Sequence, residues 1–275
     1  MKKAGLICLY IIGLAVSLVF RFIQVTQMTD SQTGFLFTQY ENINYVIYAA
    51  IGVFVLLIIF LGVFGDGLPA ARRRSPVLGA STVIMGLLAI YIVLTMAVDL
   101  SVEVGIILYM LAAFAFGVYM IYYGICLIIG KSIISGFAVI PVIFAGVRLG
   151  VTFLQYYGLA KTVDIVLEIL MMIVCLLFWH YFSKYSVNVK PKATNRWVVG
   201  YSLAASLMCF AATLPVYYAK LFTQMESVRS VGRNSYFDLA TGIFIIIFLI
   251  TSARGEKKSR KTVGVSDNGT EESVS

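Results

Sequence analysis

Histidine is almost absent: His180 is the only one in 275 residues. No HExxH metal helix can therefore form, and a Ser-His-Asp set would have to use His180 as its base. His180 lies between Trp179 and Tyr181 near the end of an apolar run, which suits a polar anchor at a membrane interface. Charge is scarce as well. Charged residues make up 12% of the chain, against about 25% in soluble domains. There is no Walker lysine loop and no GxGxxG, which argues against an ATPase or a dinucleotide enzyme. The four cysteines, Cys8, Cys126, Cys175 and Cys209, all lie within apolar stretches and form no CxxC. Neither a disulfide framework nor a structural zinc site is expected from them. No cofactor, no metal and no catalytic nucleophile–base set is expected.

What the chain does contain is apolar length. Hydrophobic residues reach 60% and mean hydropathy is +0.94. So little polar surface cannot cover a water-soluble globule, and lipid must be the solvent for much of the chain. Crossing a hydrocarbon layer of about 30 Å takes about 20 helical residues. Eight stretches qualify, over about 5–26, 45–64, 77–98, 104–129, 134–157, 163–183, 197–217 and 236–253. Runs such as Val53 to Leu61 are continuously apolar rather than alternating, which excludes barrel strands. The expected fold is all-α: a polytopic transmembrane bundle of eight spans, with residues 1–254 as one helical domain.

Lys and Arg are sorted between alternate breaks. One set holds Lys2, Lys3, Arg72, Arg73, Arg74, Lys131, Lys184, Lys190, Lys192, Arg196 and the cluster from Arg254 to Lys261. The other holds only Arg21, Lys161, Lys220, Arg229 and Arg233. By the positive-inside rule the first set is cytoplasmic, so both termini are expected there. The same sorting explains the net charge of +8 without a nucleic-acid partner. Lys2-Lys3 and Ala15-Val16-Ser17 have signal-peptide features, but the apolar run continues through Leu18-Val19-Phe20, and an uncleaved first helix is expected. Residues 255–275 read as a disordered cytoplasmic tail. Trp179, Tyr181 and Trp197 are expected to mark inner ends, and Tyr156, Tyr157, Tyr217, Tyr218 and Tyr236 outer ends. The short breaks 99–103 and 158–162 predict helical hairpins between spans three and four and between spans five and six.

Charge inside a span marks the candidate site. It costs at least about 2.5–3.5 kcal/mol at mid-membrane and needs a partner or a wet cavity. Arg148 falls ~14 Å and Glu168 ~8 Å below the outer boundary, and an Arg148–Glu168 ion pair is expected. Arg148, Thr152 and Gln155 share one helical stripe. Arg21 and Asp238 fall at similar depth, and the turn-forming Asp30 to Phe35 segment could fold over them as a lid. Arg21, Asp30, Arg148, Gln155, Glu168 and Asp238 are therefore the candidate ligand-binding residues of an outward-facing polar pocket between spans one, five, six and eight. Pro141 and Pro215 are candidate kinks. Gly117 and Gly124, a heptad apart, allow close helix approach.

Several short pieces carry a resemblance: Arg21-Phe22-Ile23-Gln24 with Asp30 and Thr33-Gly34-Phe35, Pro141 to Leu149 with Phe153 and Tyr157, Asp164 to Glu168, Pro215, and Phe237-Asp238-Leu239-Ala240. In these the chain resembles uncharacterised multi-pass membrane proteins of clostridial-type Gram-positive bacteria. The resemblance implies a bacterial plasma membrane and a similar helix layout, and carries no activity. The functional expectation is a non-ATP-driven permease or small-ligand-binding membrane component, with the lipid bilayer and a small polar or anionic solute as partners. The alternative is a membrane sensor, assembly factor or structural protein without transport activity.

Overall fold

The structure, a computed structural model, describes residues 3–29, 36–65, 67–70, 74–98, 104–156, 163–222 and 235–263. Eight α-helices follow in order: α1 Lys3–Ile23, α2 Glu41–Phe64, α3 Pro76–Val98, α4 Val104–Ile129, α5 Ile140–Tyr156, α6 Val163–Ser186, α7 Pro191–Phe222 and α8 Ser235–Val263. Each carries a window long and apolar enough to cross a bilayer. The chain is a multi-pass membrane protein, and among the described residues no strand competes with the helices. Helical spans satisfy every backbone polar group internally, which is what hydrocarbon demands.

Sequence chemistry sets the helix ends. Pro76 and Pro191 open α3 and α7, and Pro141 is the second residue of α5. Proline fits a first turn because the N–H it lacks has no partner there anyway. Pro141 is thus a helix starter, following the 3-10 turn Ser135–Val139, and not the mid-span kink expected of it. Pro215 does lie inside α7. At the other end of the chain, α8 continues to Val263, into the segment expected to be a tail. Lys257, Lys258, Arg260 and Lys261 are good helix formers, and cations favour a helix C-terminus.

Six of the helices close a ring. Each of α3 to α8 packs on the next, and α8 returns to α3. The α1–α2 pair sits outside and leans on α7. α7 is accordingly the most enclosed helix, with 72% of its apolar window buried against 22% for α1. Both expected hairpins, α3–α4 and α5–α6, form.

The α3–α4 contact depends on glycine. A Cβ on Gly86 would lie 2.6 Å from the carbonyl oxygen of Gly117, and one on Gly79 would lie 2.7 Å from that of Gly124. Two glycines on each helix, a heptad apart, let the backbones meet.

Aromatic side chains fill the ring. Phe116 of α4 stacks on Phe144 of α5 at 4.5 Å and meets Trp179 of α6 at 5.1 Å. Phe237 of α8 closes on Phe144 at 5.5 Å, and Phe244 stacks on Trp179 at 5.8 Å. Trp179 is 2% exposed. It is a core residue, not the interface marker expected from its place near a span end. Tyr181 and Trp197 do group at that level, stacked at 5.6 Å with Tyr201 beside them. At the opposite level, Tyr217 meets Tyr236 and Phe22 meets Tyr218.

A candidate polar site inside the helical ring

Arg148 projects from α5 into the ring and is 5% exposed. Its Nη1 donates to Asp238 Oδ1 at 2.6 Å and its Nη2 to Oδ2 at 2.7 Å. This bidentate fork is the strongest geometry a guanidinium and a carboxylate can adopt. Asp238 is 3% exposed and sits in the first turn of α8, where the helix dipole favours a negative charge. The Phe237 ring lies 5.4 Å from the guanidinium carbon, adding a cation–π contact. Thr241 Oγ1 donates to the Phe237 carbonyl oxygen at 2.8 Å, one turn along α8. Because α5 packs chiefly on α4 and α6, and α8 on α3 and α7, the pair reaches across the ring.

Asp238, rather than the expected Glu168, receives both terminal nitrogens of Arg148. Glu168 lies half-buried on α6, close enough for its charge to act on the guanidinium. Tyr109, buried on α4, also lies within electrostatic reach of both Arg148 and Asp238. Arg148 Nε has no hydrogen-bond partner although it is buried. One base, two acids and a leftover donor therefore meet above the aromatic filling. Beside them a cavity of about 10 Å³ is lined by Arg148, Met172, Cys175, Trp179 and Thr241 among others. That is room for about one water.

Comparison with known proteins finds no matching family model, no matching curated protein and no matching solved structure. Function must therefore be argued from the site itself.

The remaining expected residues fall in two places. Arg21 is 1% exposed on α1; its Nη1 donates to Gln24 Oε1, and Gln24 Nε2 donates to Asn44 Oδ1 of α2. This is a second polar cluster, on the α1–α2 pair outside the ring, where a single pocket shared with Arg148 was expected. Gln24 opens a π-helical turn, Gln24–Met28, whose wider winding carries the end of α1 toward Thr29 and its bridge to Leu36. Asp30, with the proposed lid to Phe35, lies outside the described residues. Gln155 falls within α5, but its side chain is outside the described set. Thr152, one turn from Arg148, is buried beside it. Sequence inspection missed Tyr109 and Asn44. Asn44 had a visible signal, one of two amides (with Asn42) at the start of an apolar span; Tyr109 had none, because span-end tyrosines are common.

Proposed function

We propose that the ring is a non-ATP-driven permease or small-solute-binding unit of a bacterial plasma membrane, with both chain ends cytoplasmic and Arg148 as its recognition residue. The sorting of Lys and Arg supports the orientation, and the resemblance in short segments supports the bacterial setting. The observation that carries the solute-binding proposal is the buried Arg148–Asp238 fork with its spare Nε donor and second acid, Glu168. Intramembrane charge is costly and is found mainly where solutes or protons pass. An anionic group of a solute takes Asp238's place on the guanidinium, and a proton entering with it balances the freed carboxylate. Glu168 provides a second resting place for Arg148 during the exchange. The aromatic layer formed by Phe116, Phe144, Phe237 and Trp179 acts as the apolar constriction below.

A thermal-shift screen of the purified protein against small carboxylates, phosphates and amino acids tests this proposal. At least one solute should raise the melting temperature of the wild type. Asp238→Asn should alter that response, and the reversed pair Arg148→Asp with Asp238→Arg should fold yet lose it. The small free space beside the fork favours a second function, a structural tie holding α5 to α8. On that account the reversed pair restores stability and no solute shifts it.

A further inference from the structure

A different cavity, of about 310 Å³, lies at the basic end of the bundle between α1 and α8. Its walls are Ile7 and Tyr10 of α1, Leu61 of α2, Leu203 of α7, and Leu249 and Ile250 of α8. These surfaces are apolar throughout, and the volume is at the lower end of ligand pockets, about 300–1,000 Å³. The cleft exists because α1 and α8 both pack on α7 but are not close neighbours of each other. Ile7 and Ile250, 54% and 47% exposed, flank its side opening. Its polar limit is the Tyr10 hydroxyl, which accepts a hydrogen bond from Ser206 at 3.0 Å.

The end wall is held by hydrogen bonds, and cations lie next to it in the chain. The 67–69 segment is tied to α7 by Leu68 N–H donating to Asn195 O at 3.0 Å and by Asn195 Nδ2 donating to Leu68 O at 2.7 Å. Tyr185 Oη donates to Pro69 O at 3.0 Å. Gly67 lies so close to the Asn195–Arg196 backbone that a Cβ there would come within 3.0 Å. Arg196, exposed, therefore follows directly on the backbone that backs this wall, and exposed Lys192 lies one turn before it on the same helical stripe of α7. An apolar slot ending at exposed cations has the chemistry of an amphiphile with a negative head.

We propose that this cleft holds one acyl chain of an anionic phospholipid, whose headgroup phosphate meets Lys192 and Arg196. Charge selects the headgroup, while the Leu61–Leu203–Leu249 walls take the tail. The site is independent of Arg148 and stands whether or not the ring transports a solute.

The test is native mass spectrometry of the full chain, released from micelles holding equal dioleoyl phosphatidylglycerol and dioleoyl phosphatidylcholine. The wild type should retain one phosphatidylglycerol in preference to phosphatidylcholine. Arg196→Gln and Lys192→Gln should each lower that preference, by about five-fold for each near-surface cation removed. Leu203→Trp, which fills the slot, should abolish retention of both lipids. Should that variant fail to fold, Ile250→Trp at the exposed rim is read in its place. Equal retention of the two lipids by wild type, no retained lipid, or undiminished retention in a folded slot-filled variant would overturn the proposal.

Discussion

At the scale of single residues, the burial of Arg148 decides most of what can be expected. Removing one member of a buried pair strands the other charge, at a cost of about 3–5 kcal/mol. Arg148→Ala and Asp238→Ala should each cut stability by that order in a detergent melt, and the double change to apolar residues should recover much of it. If the single changes melt within a degree of wild type, the fork contributes nothing and the site proposal falls with it. Trp179 offers a contrasting case. Trp179→Ala leaves a void amid Phe116, Phe178, Phe182 and Phe244, with a cost of about 3–5 kcal/mol. In the permease reading the same change should also raise solute leak into vesicles. A destabilised protein with unchanged leak would assign the aromatic layer to packing alone.

At the scale of elements, the α3–α4 glycines predict a sharp intolerance. Gly86→Leu and Gly117→Leu each place a side chain against a carbonyl and should cost about 1–3 kcal/mol or more, as overpacking does, whereas Gly146→Ala on α5, which would meet nothing nearby, should melt like wild type. Melting curves in detergent decide the matter; equal tolerance at all three positions would refute the close contact. All eight spans were legible in the sequence, α4 to the residue, whereas α5 starts six residues later than expected, α7 six earlier, and α8 ends ten residues beyond its expected end. Hydropathy over twenty residues is a strong signal because every residue of a span meets the same solvent. The partner of Arg148 was not legible. Glu168 and Asp238 are both carboxylates near span ends, and a short 158–162 break rightly placed α6 beside α5. Which acid receives the fork depends on the direction in which Arg148 leaves α5, and span boundaries carry no information about that. Trp179 was misplaced for a similar reason: tryptophan near a span end serves an interface or a core, and only its neighbours distinguish the two.

For the whole molecule, the sorting of Lys and Arg makes sidedness measurable. In a Cys8→Ala background, a cysteine at Lys192 should resist a membrane-impermeant maleimide in intact cells, and one at Tyr236 should react. The opposite pattern would invert the proposed orientation and place the polar fork toward the cytoplasm. The α1–α2 pair contributes nothing to closing the ring, so a chain beginning near residue 71 should still insert as six spans, read by the same labelling. Ring closure has one more consequence. The start of α3 and the end of α8 lie on the same face of the membrane, six crossings apart, and their helices are neighbours. Sequence order around the circle is then a matter of where the polypeptide happens to be cut. A circular permutant that links the end of α8 to Pro76 and begins anew at the Gly130–Ile134 connection keeps every helix-to-helix neighbour of the ring.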